Sequence, residues 1–409
     1  MGPLVWGQAI SLLGDYVAYI TLPLFIIKLT GRAIDLGLVV AAETLPMLLF
    51  GFGAGVYLDR RRDLTRTLIW VDATRAVAFL VLALAAASGA AAPWMVFAVA
   101  FVIGTLKVVF DSGLQALMPV VLEEEMLVVA NSRLQLARTV AFTFGPVIGG
   151  MVLALGDGFA TAFLLNAATF IVSAVFIGLL TPIRARIKEA AHDFTAELKQ
   201  GISFLWHDAR LRWATLGGTL TNLVFAPLEV LLVLFVTSEV GVPSFLEGTL
   251  ERNAVVGLFI GLHALIGAGG VALAPRIAAR FPLGHVYVAG LAMLGGGYVM
   301  VAVVSSFWSF IPAGIALAGV TWVNVALATM RQRLTLQELL GRVIAASRTL
   351  AWAGLPLGAA IGGILADIVG LSWVYIGGAV GVLAIAALLL MTPLYRDRVM
   401  ADPSSNLLL

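Results

Sequence analysis

The sequence predicts an all-α integral membrane protein of twelve transmembrane helices in two pseudo-symmetric six-helix bundles, with both termini cytoplasmic. Three observations predict it. Hydrophobic residues make up 61% of the 409 positions and charged residues only 12%, against roughly 45–50% and about 25% in soluble domains. Twelve continuous apolar stretches divide the chain six and six around a polar break. The basic residues then fall almost wholly on one side of the membrane that those stretches define.

In order, the stretches run over about 4–27, 34–57, 67–90, 94–118, 134–155 and 159–180, then about 211–237, 253–273, 283–304, 307–330, 343–367 and 371–393. Each can cross ~30 Å of hydrocarbon as a helix. Unbroken apolarity argues against a barrel, whose strands alternate over ~10 residues. The resulting divisions are an N-terminal bundle over 1–180, a linker over 181–210, a C-terminal bundle over 211–393 and a tail over 394–409.

Charge checks the count. With a cytoplasmic start, twenty of the 25 Lys and Arg residues lie in turns, helix ends and tail on the cytoplasmic side. Lys28, Arg32 and Arg252 lie on the other side, and Arg75 and Lys107 lie inside spans. That asymmetry fixes the orientation. The densest turn is Asp59-Arg60-Arg61-Arg62-Asp63, with Arg66 beyond it. In the linker, Phe194, Leu198, Ile202 and Leu205 recur at helical spacing, which predicts an amphipathic helix on the inner membrane surface. An offset of 210 residues lays Arg138-Thr139-Val140-Ala141 and Pro146 on Arg348-Thr349-Leu350-Ala351 and Pro356. Duplicated halves of this kind are a common transporter architecture.

Several classes are excluded. The chain has no cysteine, so no disulfide or thiolate site is available. His192, His207, His263 and His285 show no local metal-ligand spacing, and no metal site is expected. There is no Walker lysine loop and no Gly-x-Ser-x-Gly elbow, so an enzyme is not expected. A formal net charge of +2 gives no reason for a nucleic-acid partner. Gly51-x-Gly53-x-Gly55 lies inside an apolar span, where small residues serve helix packing.

An ionised side chain near mid-bilayer costs about 3 kcal/mol on insertion scales, which makes each one a functional candidate. Asp15, Lys107 and Glu229 lie near the middles of spans one, four and seven. For Asp15 and Lys107 two readings stand: a structural ion pair, or a carboxylate that exchanges protons or holds a cation beside an ammonium that tunes it. Glu229 has no obvious basic partner at its depth, which suits proton coupling; the alternative is a carboxylate on a solvated cavity wall. Glu43 and His263, in spans two and eight, read as hydrogen-bonding helix contacts. Gly145-Pro146 with Gly149-Gly150, and Gly354-x-x-x-Gly358-x-x-x-Gly362, permit close helix approach, and each Pro permits a kink.

Taken together, these patterns resemble the major facilitator superfamily, and within it the branch of enterobactin-exporter and macrolide-efflux proteins. Ser11-Leu12-Leu13-Gly14-Asp15 with Leu22-Pro23 is similar to that branch's first helix, and Gly55-x-x-x-Asp59-Arg60 to its signature turn. Asp111–Pro119 with Ala130-Asn131 is similar to its fourth helix and the turn after it. Gly145-Pro146-Val147-Ile148-Gly149-Gly150 resembles the exchangers' fifth-helix motif, and Arg331-Gln332-Arg333 with Gly341-Arg342-Val343 the late part of the pattern. The chain departs from the pattern at Asp63-Leu64-Thr65-Arg66, at Gly270–Arg280, where the acid is missing, and at Ala141 and Thr143, which replace upstream glycines.

The resemblance implies a secondary transporter whose spans one, four, seven and ten line a cavity. Substrate would meet Asp15, Lys107, Asn222, Glu229, Trp322 and Asn324, with Asp15 and Glu229 coupling to protons. A conformational latch would comprise Gly55, Asp59, Arg60, Arg66, Asp72, Arg75 and Asp111. The expected activity is proton-coupled export of an amphipathic small molecule such as a drug, macrolide or siderophore, by alternating access. The expected setting is a monomer in the bacterial inner (cytoplasmic) membrane, among lipids, with no cofactor beyond the proton gradient. A lipid or lysophospholipid flippase of the same fold is the alternative, and a non-transporting receptor or scaffold the third reading.

Overall fold

A computed structural model describes residues 2–59, 63–122, 124–155, 158–179, 194–243, 247, 251–336, 339–397 and 399–400. The first part of the chain forms α1 (Gly2–Thr30), α2 (Ala33–Asp59), α3 (Leu64–Ala87), α4 (Pro93–Val121), α5 (Glu124–Leu153) and α6 (Gly158–Gly178). Next come α7 (Phe194–His207), α8 (Ala209–Val230), α9 (Leu232–Ser238), α10 (Arg252–Arg280) and α11 (Leu283–Val304). A 3-10 turn over Phe307–Ser309 leads into α12 (Phe310–Leu334), followed by α13 (Leu340–Val369), α14 (Leu371–Leu390) and α15 (Pro393–Arg396). Among the described residues twelve helical segments are long and apolar enough to cross a membrane. They coincide with the twelve expected spans, and α8 with α9 makes the seventh.

Local chemistry sets the boundaries. Asp63, which breaks the expected signature turn, is the N-cap of α3: its carboxylate accepts the Arg66 N–H at 3.0 Å. Pro93 opens α4, where a missing N–H costs nothing. Gly31, between α1 and α2, has φ of 67°, a left-handed conformation that only glycine adopts freely. Asp208 caps α8 by accepting the N–H groups of Arg210 and Leu211 at 2.9 and 3.2 Å, and its other oxygen takes the Arg210 guanidinium at 2.8 Å. Partial burial opposes the Asp208 carboxylate, but these hydrogen bonds and the Arg210 charge outweigh it and hold the carboxyl below its usual range.

That stabilisation is therefore present above the ordinary carboxylate range and is lost as pH falls through the depressed value. Asp208→Ala is expected to cost about 1 kcal/mol. The loss, read as a lower thermal midpoint near neutral pH, should vanish in strong acid.

Contacts group the chain into two compact units. Unit 1 is Met1–Ala190 with Val242–Gly261, and unit 2 is Ala191–Gly241 with Leu262–Leu409. In unit 1, α1 packs on α5 and α6, α3 on α6, and α2 on α4. The glycines of the fifth-helix motif make the first of these possible. A methyl group on Gly145 would lie 2.5 Å from Cβ of Tyr16, and one on Gly149 would lie 2.6 Å from Cγ2 of Ile20. Gly150 and Pro146 turn the other way, against the backbone of Asn253 and Gly257 in the first part of α10. Overpacking costs roughly 1–3 kcal/mol where a neighbour can shift, and α1 backbone cannot shift cheaply. Gly145→Leu should thus lower the melting midpoint of detergent-purified protein by several degrees.

Unit 2 repeats the arrangement. There α13 packs on α8, α11 on α12, and α14 on both α11 and α8. Methyl groups on Gly354, Gly358 and Gly362 would meet the Thr219 carbonyl at 2.6 Å, Ala226 Cβ at 3.0 Å and Pro227 Cγ at 2.6 Å. One glycine row therefore seats α5 on α1 and a second seats α13 on α8. The internal repeat seen in the sequence recurs in the packing.

The linker helix forms where the periodicity places it, as α7, and it packs on α13 and α8. Gly201 lies against the Arg342 backbone, Leu205 is buried, and Arg342 donates to the Gln200 side chain. The side chains of Phe194 and Leu198, and residues 181–193, lie outside the described residues.

Candidate functional site

In unit 1 the charges within spans converge from four helices. The seating of α1 turns Gly14 toward Asn166 and Thr169 of α6 and leaves Asp15 half-buried on another face. The backbones of α2 and α4 meet at Glu43 and Gly104, where a methyl group would strike the Glu43 backbone. Lys107 follows Gly104 by about one turn, so it stands at the level of Glu43. Its electrostatic neighbours are Asp15, Glu43, Asp111 and Tyr16, and those of Asp15 are Lys107, Arg75, Asp111 and Arg138. Lys107 is exposed, while Asp15, Tyr16 and Glu43 are half-buried. Among the described residues no ion pair within 4.0 Å joins any of them. The close ion pair considered for Asp15 and Lys107 is thus not formed within 4.0 Å, although each is the other's leading charged neighbour.

An aromatic wall flanks this cluster. Tyr16 and Tyr19 of α1 meet Phe142 of α5 edge-on, with centroids 5.2 and 6.3 Å away. Arg138 lies four residues before Phe142, on the same helix face. None of these three aromatics stood out in the sequence. For Tyr19 and Phe142 the signal that could have found them is their four-residue spacing from Asp15 and Arg138; Tyr16, next to Asp15 in the chain, had none.

Asp72 and Arg75, assigned to the latch, have a different immediate role. Arg75 Nη1 lies 3.4 Å from Asp72 Oδ1, with side chains 3% and 0% exposed. The guanidinium is held between the rings of Phe110 and Phe170, at 4.9 and 5.1 Å. Ser173 stands beside Asp72 and accepts from Gln8 Nε2 at 3.2 Å. This is an ion pair sealed inside the packing of α1, α3, α4 and α6. Of the other latch residues, Arg66 pairs with Asp63 at 3.2 Å in an exposed contact. Asp111 lies one turn beyond Lys107 on the same face of α4. Arg60 lies outside the described residues, as does the side chain of Asp59, and Gly55 has none.

In unit 2 the site is built on a broken helix. Span seven stops at Leu231, whose N–H still reaches the Pro227 carbonyl at 3.0 Å, and resumes as α9. Glu229 sits on this break, half-buried. Tyr298 of α11 donates its hydroxyl to Glu229 Oε2 at 3.1 Å. Glu229 therefore has a hydrogen-bond partner where a search for basic residues found none. The signal was a tyrosine inside an apolar span, whose O–H needs an acceptor when buried.

The other expected residues of this half do different things. Asn222 donates its amide to the Ala351 carbonyl of α13 at 2.8 Å, which spends it on helix contact. Trp322 and Asn324 lie on opposite sides of α12. Two residues of helix turn them about 200° apart, and Trp322 is half-buried while Asn324 is exposed. The Trp322 indole N–H is sealed from solvent and has no acceptor among the described residues. His263, expected to bridge helices, is buried, and its carbonyl lies against Gly314 of α12.

Comparison with known proteins decides the family. The Major Facilitator Superfamily profile matches residues 4–285. The chain belongs to the Major Facilitator Superfamily. Macrolide efflux protein A of Streptococcus pyogenes is 23% identical over 91% of this chain and 91% of its own length. The multidrug efflux pump Tap of Mycolicibacterium fortuitum is 26% identical over 94% of this chain and 93% of its own. The crystal structure of the nucleoside transporter NupG superposes with a TM-score of 0.76 over 95% of this chain and 97% of that one. At 13% identity it shares the fold alone. The protein is thus a multi-pass superfamily transporter with efflux-pump relatives, and not an enzyme.

Proposed function

We propose that this transporter exports an amphipathic small molecule in exchange for protons, by alternating access, from the cytoplasm across a bacterial inner membrane. Both termini would be cytoplasmic, as the basic turns require. The observation that carries this reading is the cluster of Asp15, Glu43 and Lys107 in unit 1, which are electrostatic neighbours with no ion pair within 4.0 Å among them. Charges held in apolar spans without ion-pair partners are costly, and a ligand or a proton can offset the cost. Tyr16, Tyr19 and Phe142 supply apolar and aromatic surface beside it, which suits an amphipathic substrate. Glu229, at a helix break, is the second carboxylate, so a proton can be taken up in either half. A proton on a carboxylate removes the charge a cationic or polar substrate group would otherwise meet, which makes the two occupants alternatives. No cofactor is needed, because the gradient supplies the energy. Full-length similarity to macrolide and multidrug efflux proteins supports export as the direction.

The test is reconstitution into proteoliposomes with an imposed pH difference, using erythromycin and ethidium as probes. Uptake driven by the gradient, and reduced at least about tenfold in Asp15→Asn, is expected; a tenfold change is 1.4 kcal/mol of transition-state or binding free energy. Transport indifferent to the gradient would refute proton exchange. A lipid probe moved in place of both compounds would favour the flippase.

A further inference from the structure

Two buried tyrosines hold the break in span seven. Tyr298 of α11 donates to Glu229 Oε2 at 3.1 Å. Tyr375 of α14 donates to the carbonyl of the preceding residue, Leu228. Both rings are essentially unexposed, and their centroids lie 5.9 Å apart. Phe225 stands one turn back on α8, 5.9 Å from the Tyr298 ring, and Phe235 of α9 stands 4.3 Å from that of Tyr375. The aromatic stack therefore spans the break, with one hydroxyl bonded to backbone and the other to a titratable side chain.

The difference between the two bonds matters. A backbone carbonyl accepts at every pH, so the Tyr375 contact does not depend on the protonation of its acceptor. A carboxylate accepts strongly from a hydroxyl, and charge-assisted bonds of this kind are roughly twice as strong as neutral ones. Once protonated, the same carboxyl accepts less well and offers a donor of its own. On another face of this segment, α13 presents Gly358 against Ala226 and Gly362 against Pro227. From α11 and α14 the hydroxyls bonded to this segment are those of Tyr298 and Tyr375, while Tyr287 of α11 bonds farther back, to the Ala214 carbonyl.

We infer that Tyr298 is a positioning residue that makes the packing of span nine on span seven depend on whether Glu229 carries a proton. In the unprotonated state the Tyr298–Glu229 bond holds the break in one arrangement, and protonation releases it while Tyr375 keeps the helix joined. This rests on Glu229 being a coupling carboxylate, as proposed above. Its consequence is tight coupling. Without the hydroxyl, the segment is free to move in either protonation state, and protons slip across without substrate.

The measurement needs no known substrate. Purified protein is reconstituted into liposomes loaded with the pH-sensitive dye pyranine, and substrate-free proton leak is followed after a pH jump. Wild type should stay near the protein-free background. Tyr298→Phe, which removes one oxygen and keeps the ring, should raise the leak several-fold, and Tyr375→Phe should not. Glu229→Asp draws the carboxylate back by one methylene and should leak as Tyr298→Phe does, which guards against a folding defect in either variant. Leak at the wild-type level in both overturns the inference. Adding Glu229→Gln to Tyr298→Phe should abolish the leak. A leak that survives this change would refute Glu229 as the coupling group, whereas loss of coupling in Glu229→Gln with a silent Tyr298→Phe would refute only the role of Tyr298.

Discussion

Glu229→Gln is expected to abolish export driven by a pH gradient while leaving the protein folded. The glutamine keeps an oxygen to accept from Tyr298 and keeps the volume that the broken helix packs around. What it removes is the proton-binding group, together with the charge that strengthens that bond. In the proposed cycle a proton must displace substrate in order to link the inward gradient to outward movement. A carboxamide cannot take that proton, so gradient-driven export should fall about tenfold or more, where tenfold is 1.4 kcal/mol. Counterflow, in which unlabelled substrate on one side exchanges for labelled substrate on the other, should persist because it needs no net proton movement. Loss of both activities together would mean that Glu229 holds substrate or structure and not the coupling proton.

The second large effect concerns the sealed pair of Asp72 and Arg75. Removing one partner of a buried ion pair leaves the other uncompensated and typically costs about 3–5 kcal/mol. Here Asp72 Oδ2 and Arg75 Nε already lack hydrogen-bond partners, so little is available to absorb the change. Asp72→Asn and Arg75→Met should each lower the melting midpoint sharply. Replacing both with apolar residues of similar volume, Asp72→Leu with Arg75→Met, should recover much of the loss, as buried pairs replaced whole often are near neutral. The rings of Phe110 and Phe170 would then pack against a thioether, a favourable contact for methionine. A double variant no more stable than the worse single one would contradict a structural role for the pair. A stable double variant that no longer transports would return the pair to the conformational machinery in which the sequence placed it.

How far the sequence could be read follows from what the membrane enforces. Spans were legible because the bilayer requires long apolar helices and tolerates nothing else of that composition. Asp15, Lys107 and Glu229 were legible because a charge within such a run stands out by type alone. The glycine rows at Gly145 and Gly354 were legible as close approaches, although not which helix each would meet. What could not be read was the partnership of residues remote in the chain. Tyr298 and Tyr375 look like ordinary apolar-span aromatics until Glu229 and Leu228 are brought beside them. Asp72 and Arg75 have the three-residue spacing of a helix-face pair, yet depth in the bundle decides whether such a pair is a seal or a latch. Trp322 and Asn324 were grouped by residue type where helical geometry should have separated them. The amphipathic pattern of α7 fixed the helix but not its partner, since an apolar stripe fits a protein surface as well as a lipid one.

The most direct measurement of the central claim is the dependence of export on the proton gradient in reconstituted wild-type protein. Erythromycin or ethidium flux is followed across proteoliposomes with a pH difference, then after that difference is collapsed with nigericin. Coupled exchange predicts concentrative movement that stops on collapse, and proton movement in the opposite sense that begins only when substrate is added. Flux that continues unchanged after collapse, or substrate movement without any counter-movement of protons, would contradict the account.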